Sequence, residues 1–142
     1  MTTSRDFRSG DVFHYPYLWR WQRERGETEG RKDRSVWVVI AVRGGAGDAT
    51  HLALLAISSR PPGADQTALE IPEIECRRGG LGEWKRAWIT VSEYNYDIAE
   101  RSYYLAPDEP ILGRFSKPFM MRLAAEVAPL FARKGARVDR GD

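Results

Sequence analysis

Apolar residues in this chain come in short runs broken by glycine and proline, a pattern that predicts several strands before any long helix. Val12-Phe13-His14-Tyr15-Pro16-Tyr17 is rich in strand formers, and its proline marks an edge strand or a strand end. Strands two and three are predicted near Val36 to Val42 and Leu52 to Ser58. They are joined as a hairpin through the glycine-dense Arg43-Gly44-Gly45-Ala46-Gly47-Asp48. Thr67 to Pro72 alternates, with Leu69 and Ile71 on one face, and predicts a short fourth strand. Ala87 to Ser92, β-branched in its second half, predicts a fifth. Between the first two strands, Leu18 to Asp33 mixes acids, bases and two tryptophans without a period, and reads as a long loop. Tyr94 to Arg101 has no clear period either, and Tyr103-Tyr104-Leu105 resumes strand character.

The periodicity changes after Ser116. Phe119, Leu123, Val127 and Phe131 recur every four residues, an apolar stripe suited to lie on a sheet. Ser116 is a good N-cap and Pro118 fits the first turn. Pro129 lacks the amide hydrogen a helix interior needs, so a kink or early end is expected there. Arg133-Lys134-Gly135 is a natural stop, leaving Ala136 to Asp142 as a frayed tail. Together these elements predict a mainly β domain: a small, strongly bent antiparallel sheet or open barrel capped by a C-terminal α-helix. One domain is expected over 1–142, with frayed ends at about 1–8 and 136–142.

Composition narrows the function. The net charge is only +2, so any polyanion-binding surface must come from local clustering. The single cysteine, Cys76, excludes an internal disulfide and lacks the spacing of a zinc site, which favours a reducing compartment; it reads as a half-buried thiol. No signal-peptide core and no long apolar window is present, so a soluble, cytoplasmic protein without membrane attachment is expected.

Candidate chemistry centres on Glu29-Gly30-Arg31-Lys32-Asp33-Arg34, which brings a carboxylate and a guanidinium, five residues apart, to the start of the apolar strand Val36-Trp37-Val38-Val39-Ile40. A planar guanidinium holds two phosphate oxygens at once, and the Ser58-Ser59 pair ending strand three adds hydroxyl donors. The bland alternatives are a solvated arginine and a pair of turn serines before Arg60-Pro61-Pro62. Trp19 and Trp21 interleave with Arg20, Arg23 and Arg25, a composition suited to stacking single-stranded bases and meeting phosphates, or to a protein partner; Tyr15 and Tyr17 read as core. A His14/His51 acid and base pair is chemically able to cleave RNA, but nothing in the sequence brings the two together.

Gly10-Asp11-Val12 at the first strand, the acid five residues before Arg34, the aliphatic strand that follows, Ile57-Ser58-Ser59, and Leu112-Gly113-Arg114-Phe115-Ser116 before the helix occur in an order that resembles the MazF/PemK family of toxin endoribonucleases. The resemblance runs from Gly10 to about Phe131 and implies an SH3-like barrel with a C-terminal helix. It also implies a metal-independent growth inhibitor that cuts single-stranded RNA, acts as a homodimer, needs no cofactor and is held in check by a cognate antitoxin. On this resemblance Arg34 is the catalytic arginine, Ser58 the hydroxyl that positions the phosphate and Glu29 the base. Trp19, Arg20, Trp21, Arg23, Arg31, Lys32, Ser59 and Arg60 are the RNA-binding candidates. Two departures stand out: Ser35 follows Arg34 where the family usually has proline, and Ser92-Glu93-Tyr94-Asn95-Tyr96-Asp97 replaces a Gln-Ile-Arg-like segment, so no base preference is implied. The competing readings are a non-catalytic toxin of the CcdB kind that grips a protein, and an SH3-like module for proline-rich peptides.

Overall fold

Continuous apolar runs, Val36 to Val42 and Leu52 to Ile57, form the central strands of a computed structural model that describes residues 9–28, 34–44, 49–81, 86–102, 104–105 and 110–140, with the backbone course alone for 34–44. The strands are β1 (Asp11–Tyr15), β2 (Arg34–Gly44), β3 (Ala49–Ser58), β4 (Ala68–Ile71), β5 (Ala87–Thr90), β6 (Tyr94–Ile98), β7 (Gly113–Arg114) and β8 (Arg137–Asp139). Three helices interrupt them: α1 (Arg20–Glu24), α2 (Glu73–Arg78) and α3 (Lys117–Val127). The result is a small mixed α/β domain, and its strand path does not close into a barrel among the described residues.

The sheet runs β4-β5-β3-β2-β1-β7, with β6 also paired to β3 and β8 to β6. Strand β3 is the hub. One edge pairs with β2, as the hairpin reading expects, and the other is shared by β6 along its first half and β5 at its end. A β-bulge between Val38 and Ile40 inserts one residue into β2 and shifts its register against β3. All pairings are antiparallel except β6 with β8, which is parallel.

Alternation along β3 separates two cores. Ala53, Leu55 and Ile57 face Phe119, Leu123, Val127 and Leu130 of the C-terminal helix, together with Ile71, Ala87 and Ile89. Leu52, Leu54 and Ala56 face Phe13, Tyr15, Tyr17, Trp19 and Leu105. The Ser116 hydroxyl caps α3 by accepting from the Phe119 amide, as anticipated. Pro129 has the expected effect: α3 ends at Val127 and the chain continues as a 3-10 helix, Ala128–Ala132. Phe131, the last member of the stripe, is therefore rotated out to 36 % exposure and packs edge-on against Tyr94.

Several expectations are corrected. The segment after Leu18 is not all loop, because Arg20–Glu24 forms the short helix α1, at whose start the Trp19 amide donates to the Gln22 side-chain oxygen at 3.0 Å. Glu73–Arg78, where no element was expected, forms α2; Glu75 and Cys76 are buried within it, and the Cys76 thiol is fully rather than half buried. The tail is not frayed from Ala136 onward, since Arg137–Asp139 pairs with β6 and Ala136, Val138 and Arg140 are buried. Tyr104 and Leu105 do not form a strand.

Two close approaches hold α2 against the sheet. A Cβ at Gly113 would collide with the Arg78 carbonyl, and one at Gly80, whose φ is 77°, would collide with the Leu112 carbonyl. The Glu75 carboxylate accepts from the Ser116 amide (2.9 Å), the Ser116 hydroxyl (2.6 Å) and Arg78 (2.7 Å). Burial would raise its pKa, but these hydrogen bonds outweigh burial and lower it.

Candidate functional site

Strand register assembles a transverse row, Ser58, Trp88 and Glu70, and a separate pair, Tyr15 and Arg34. Tyr15 of β1 pairs with Arg34 of β2. The β2–β3 ladder ends at Val36 and Ala56, which leaves Arg34 at the start of β2 and Ser58 at the end of β3, each two residues beyond the last pair and at the same end of the two strands. Ser58 in turn pairs with Trp88 of β5, and Trp88 with Glu70 of β4. Neighbouring strands lie roughly 5 Å apart, so Trp88 flanks Ser58 at one strand spacing. Residues far apart in sequence thus become neighbours, which no local pattern specifies.

The row lies on the face away from α3. Ile57, Ala87 and Ile89 are buried in the core beneath that helix, so alternation turns Ser58 and Trp88 to the opposite face, where both are half-buried. The Ser58 hydroxyl oxygen accepts from the Arg60 amide (3.0 Å), a local turn contact that leaves its own proton free to donate. Ser59 and Arg60 are exposed beside it. The Arg86 guanidinium lies 5.0 Å from the centroid of the Trp88 ring, and its Nε and Nη2 donate to the Glu70 carboxylate at 2.9 and 3.3 Å. That hydrogen bonding lowers the Glu70 pKa and raises that of Arg86.

The other candidates fall elsewhere. Glu29, Arg31 and Lys32 lie outside the described residues. Trp19 is buried against Tyr17 at 5.0 Å between ring centroids, so it belongs to the core rather than to a partner surface. Arg20 and Arg23 donate to the Gly135 and Asp139 carbonyls at 3.4 and 2.7 Å, tying α1 to the C-terminal segment on the side of β3 away from β2. Trp21 is 39 % exposed, with the Arg25 guanidinium 5.3 Å from its ring centre. His14 and His51 do not meet. Their partners on β2, Ser35 and Val42, are seven residues apart, roughly 23 Å along the strand. His51 instead hydrogen-bonds the Tyr96 hydroxyl, and Arg137 covers that ring at 3.8 Å.

The acidic segment after β5 builds a buried polar network under the first strand. The Tyr15 and Ser102 hydroxyls each donate to Asp97 Oδ2 at 2.6 Å, and the Ile98 amide donates to Oδ1 at 2.8 Å. Asn95 exchanges two hydrogen bonds with the Leu18 backbone, at 2.9 and 2.8 Å. Glu93 accepts from the Tyr17 hydroxyl (3.3 Å) and the Arg20 amide (2.8 Å). Burial raises the Glu93 pKa, and the same burial, reinforced by the adjacent carboxylates, raises those of Tyr15 and Tyr17. Arg140 supplies the buried cation. Its Nη1 donates to the Pro16 carbonyl (2.6 Å) and to Asn95 (3.1 Å), and its plane stands 3.9 Å from the Tyr104 ring centre; Nε and Nη2 have no hydrogen-bond partner among the described residues. Sequence reasoning missed this network, and the only signal for it was the run of polar residues inside Tyr94 to Asp97.

Among the described residues, no helix is long and apolar enough to cross a membrane, and no group of three or more histidine, cysteine, aspartate or glutamate side chains could hold a metal ion. Comparison of the chain with models of known protein families, with curated proteins and with solved structures finds no match.

Proposed function

We propose that this protein is an endoribonuclease of the MazF/PemK toxin type, cutting single-stranded RNA by attack of a ribose 2′-hydroxyl on the adjacent phosphate. The observation that carries the reading is that Arg34 opens β2 and Ser58 closes its antiparallel neighbour β3, so the two lie at the same end of that strand pair. A guanidinium there would hold the non-bridging phosphate oxygens as negative charge builds on them, while the serine hydroxyl fixes a third contact. The 2′-oxygen forms a bond to phosphorus and its proton passes to Glu29. The bond from phosphorus to the 5′-oxygen breaks, leaving a 2′,3′-cyclic phosphate and, after protonation, a 5′-hydroxyl. On this reading the bent sheet centred on β3 is an open form of the SH3-like barrel, and the protein works in the cytoplasm as a homodimer neutralised by an antitoxin.

The test is digestion of a long unstructured RNA in excess chelator. Cleavage by the wild type, reduced about 10²- to 10³-fold in Arg34→Ala, supports the proposal. Equal inertness of both proteins rejects it. One observation favours a second reading, a grip on a protein target: Trp21, stacked with Arg25, is exposed on α1, away from the row.

A further inference from the structure

We propose that Trp88 is the stacking seat for the base next to the scissile phosphate, an inference that rests on the ribonuclease reading and extends it. Trp88 is the residue directly across from Ser58, so a phosphate held by that hydroxyl would have an aromatic face one strand spacing away. The ring is half-buried on the face of the sheet away from α3, anchored by its place in β5 between Ala87 and Ile89, which are fully buried. It already receives one planar group: the Arg86 guanidinium lies over it at 5.0 Å.

That guanidinium is a replaceable occupant. Arg86 is 65 % exposed and its partner Glu70 is 49 % exposed, so water and salt screen their attraction. An incoming base takes the place of the guanidinium on the ring, and Arg86 remains at the rim, paired with Glu70 or turned to the next phosphate. Stacking on an aromatic face is tolerant of base identity. Trp88 therefore adds affinity and sets the register of the strand on Arg34 and Ser58, without by itself choosing a sequence. It is a positioning residue, since it touches a base and not the reacting atoms.

The experiment uses the full chain and two RNAs of the same sequence: one cleavable, and one 2′-O-methylated throughout, which binds but lacks the nucleophile. Trp88→Ala is expected to weaken binding of the methylated RNA about tenfold by fluorescence anisotropy, and to raise KM about tenfold with kcat within about threefold. Trp88→Phe, which keeps a ring and protects against a folding defect, restores most of both. RNA quenches tryptophan emission in the wild type, and Trp88→Phe loses most of that quench while still binding, a change that a merely structural role would not produce. Unchanged affinity and KM in Trp88→Ala, alongside an inert Arg34→Ala, remove the stacking seat and leave the nuclease standing. A wild type that neither binds nor cuts removes both. A change in oligomeric state in Trp88→Ala with RNA binding intact makes the ring a protein interface and overturns the inference.

Discussion

Replacing Asp97 with alanine should unfasten the first strand from β6. The carboxylate accepts from the Tyr15 hydroxyl, the Ser102 hydroxyl and the Ile98 amide, and it is 2 % exposed, so water cannot take over those contacts. Hydrogen bonds to a charged acceptor contribute about 1.5 kcal/mol each at the low end of their range, so losing the two hydroxyl contacts costs about 3 kcal/mol. The Tyr15 hydroxyl is then left buried without this partner, which adds to the loss, whereas removing a desolvated carboxylate offsets part of it. For 142 residues the unfolding entropy is about 0.3 kcal/mol per kelvin, so the variant should melt about 10 °C lower. Asp97→Asn keeps one acceptor and should recover more than half of that. Thermal unfolding by circular dichroism, with urea titration for the free energy, measures both. A melting temperature within about 2 °C of wild type in Asp97→Ala would refute the claim that this network holds β1, and with it the positioning of Tyr15 beside Arg34.

Two further outcomes follow from the packing, beside those already set for Arg34 and Trp88. Glu93 is buried with its pKa raised above the ordinary 4.5, so the ionised form is the costly one in the fold: stability is fully present below that value and is lost as pH rises through the raised one. Glu93→Gln keeps an oxygen for Tyr17 and the Arg20 amide, so it should melt higher than wild type at pH 7 to 8 and equally below about pH 4; parallel curves across that range would refute the burial argument. Gly113→Ala forces a Cβ against the backbone of Arg78, Gly79 and Gly80, none of which can rotate away, and should cost about 1–3 kcal/mol by urea denaturation. An unaffected midpoint would mean that α2 slides freely on β7.

Features governed by neighbours a few residues away were legible in the sequence. The stripe of Phe119, Leu123 and Val127, the Ser116 cap and the early end at Pro129 all follow from helix period and proline chemistry, and each is found in the structure. The β2–β3 hairpin and the strand around Leu69 and Ile71 follow from alternation and glycine turns. What failed was short or polar. The brief helix α2 offers no periodicity long enough to recognise, and the three residues of β8 are a strand only because β6 accepts them in parallel. Trp19 looked like a surface residue in a charged segment, and its burial is decided by Tyr17 and the face of β3 beneath it.

The sequence by itself determined which side chains could meet a phosphate, Arg34 and Ser58 among them, because functional groups are a property of residue type. Only the tertiary structure decided their company. Register pairs Tyr15 with Arg34 and ranks Ser58, Trp88 and Glu70 across three strands, while the bulge between Val38 and Ile40 shifts β2 against β3. Cross-strand adjacency depends on how separate segments slide past one another, and no pattern within any single segment encodes that displacement.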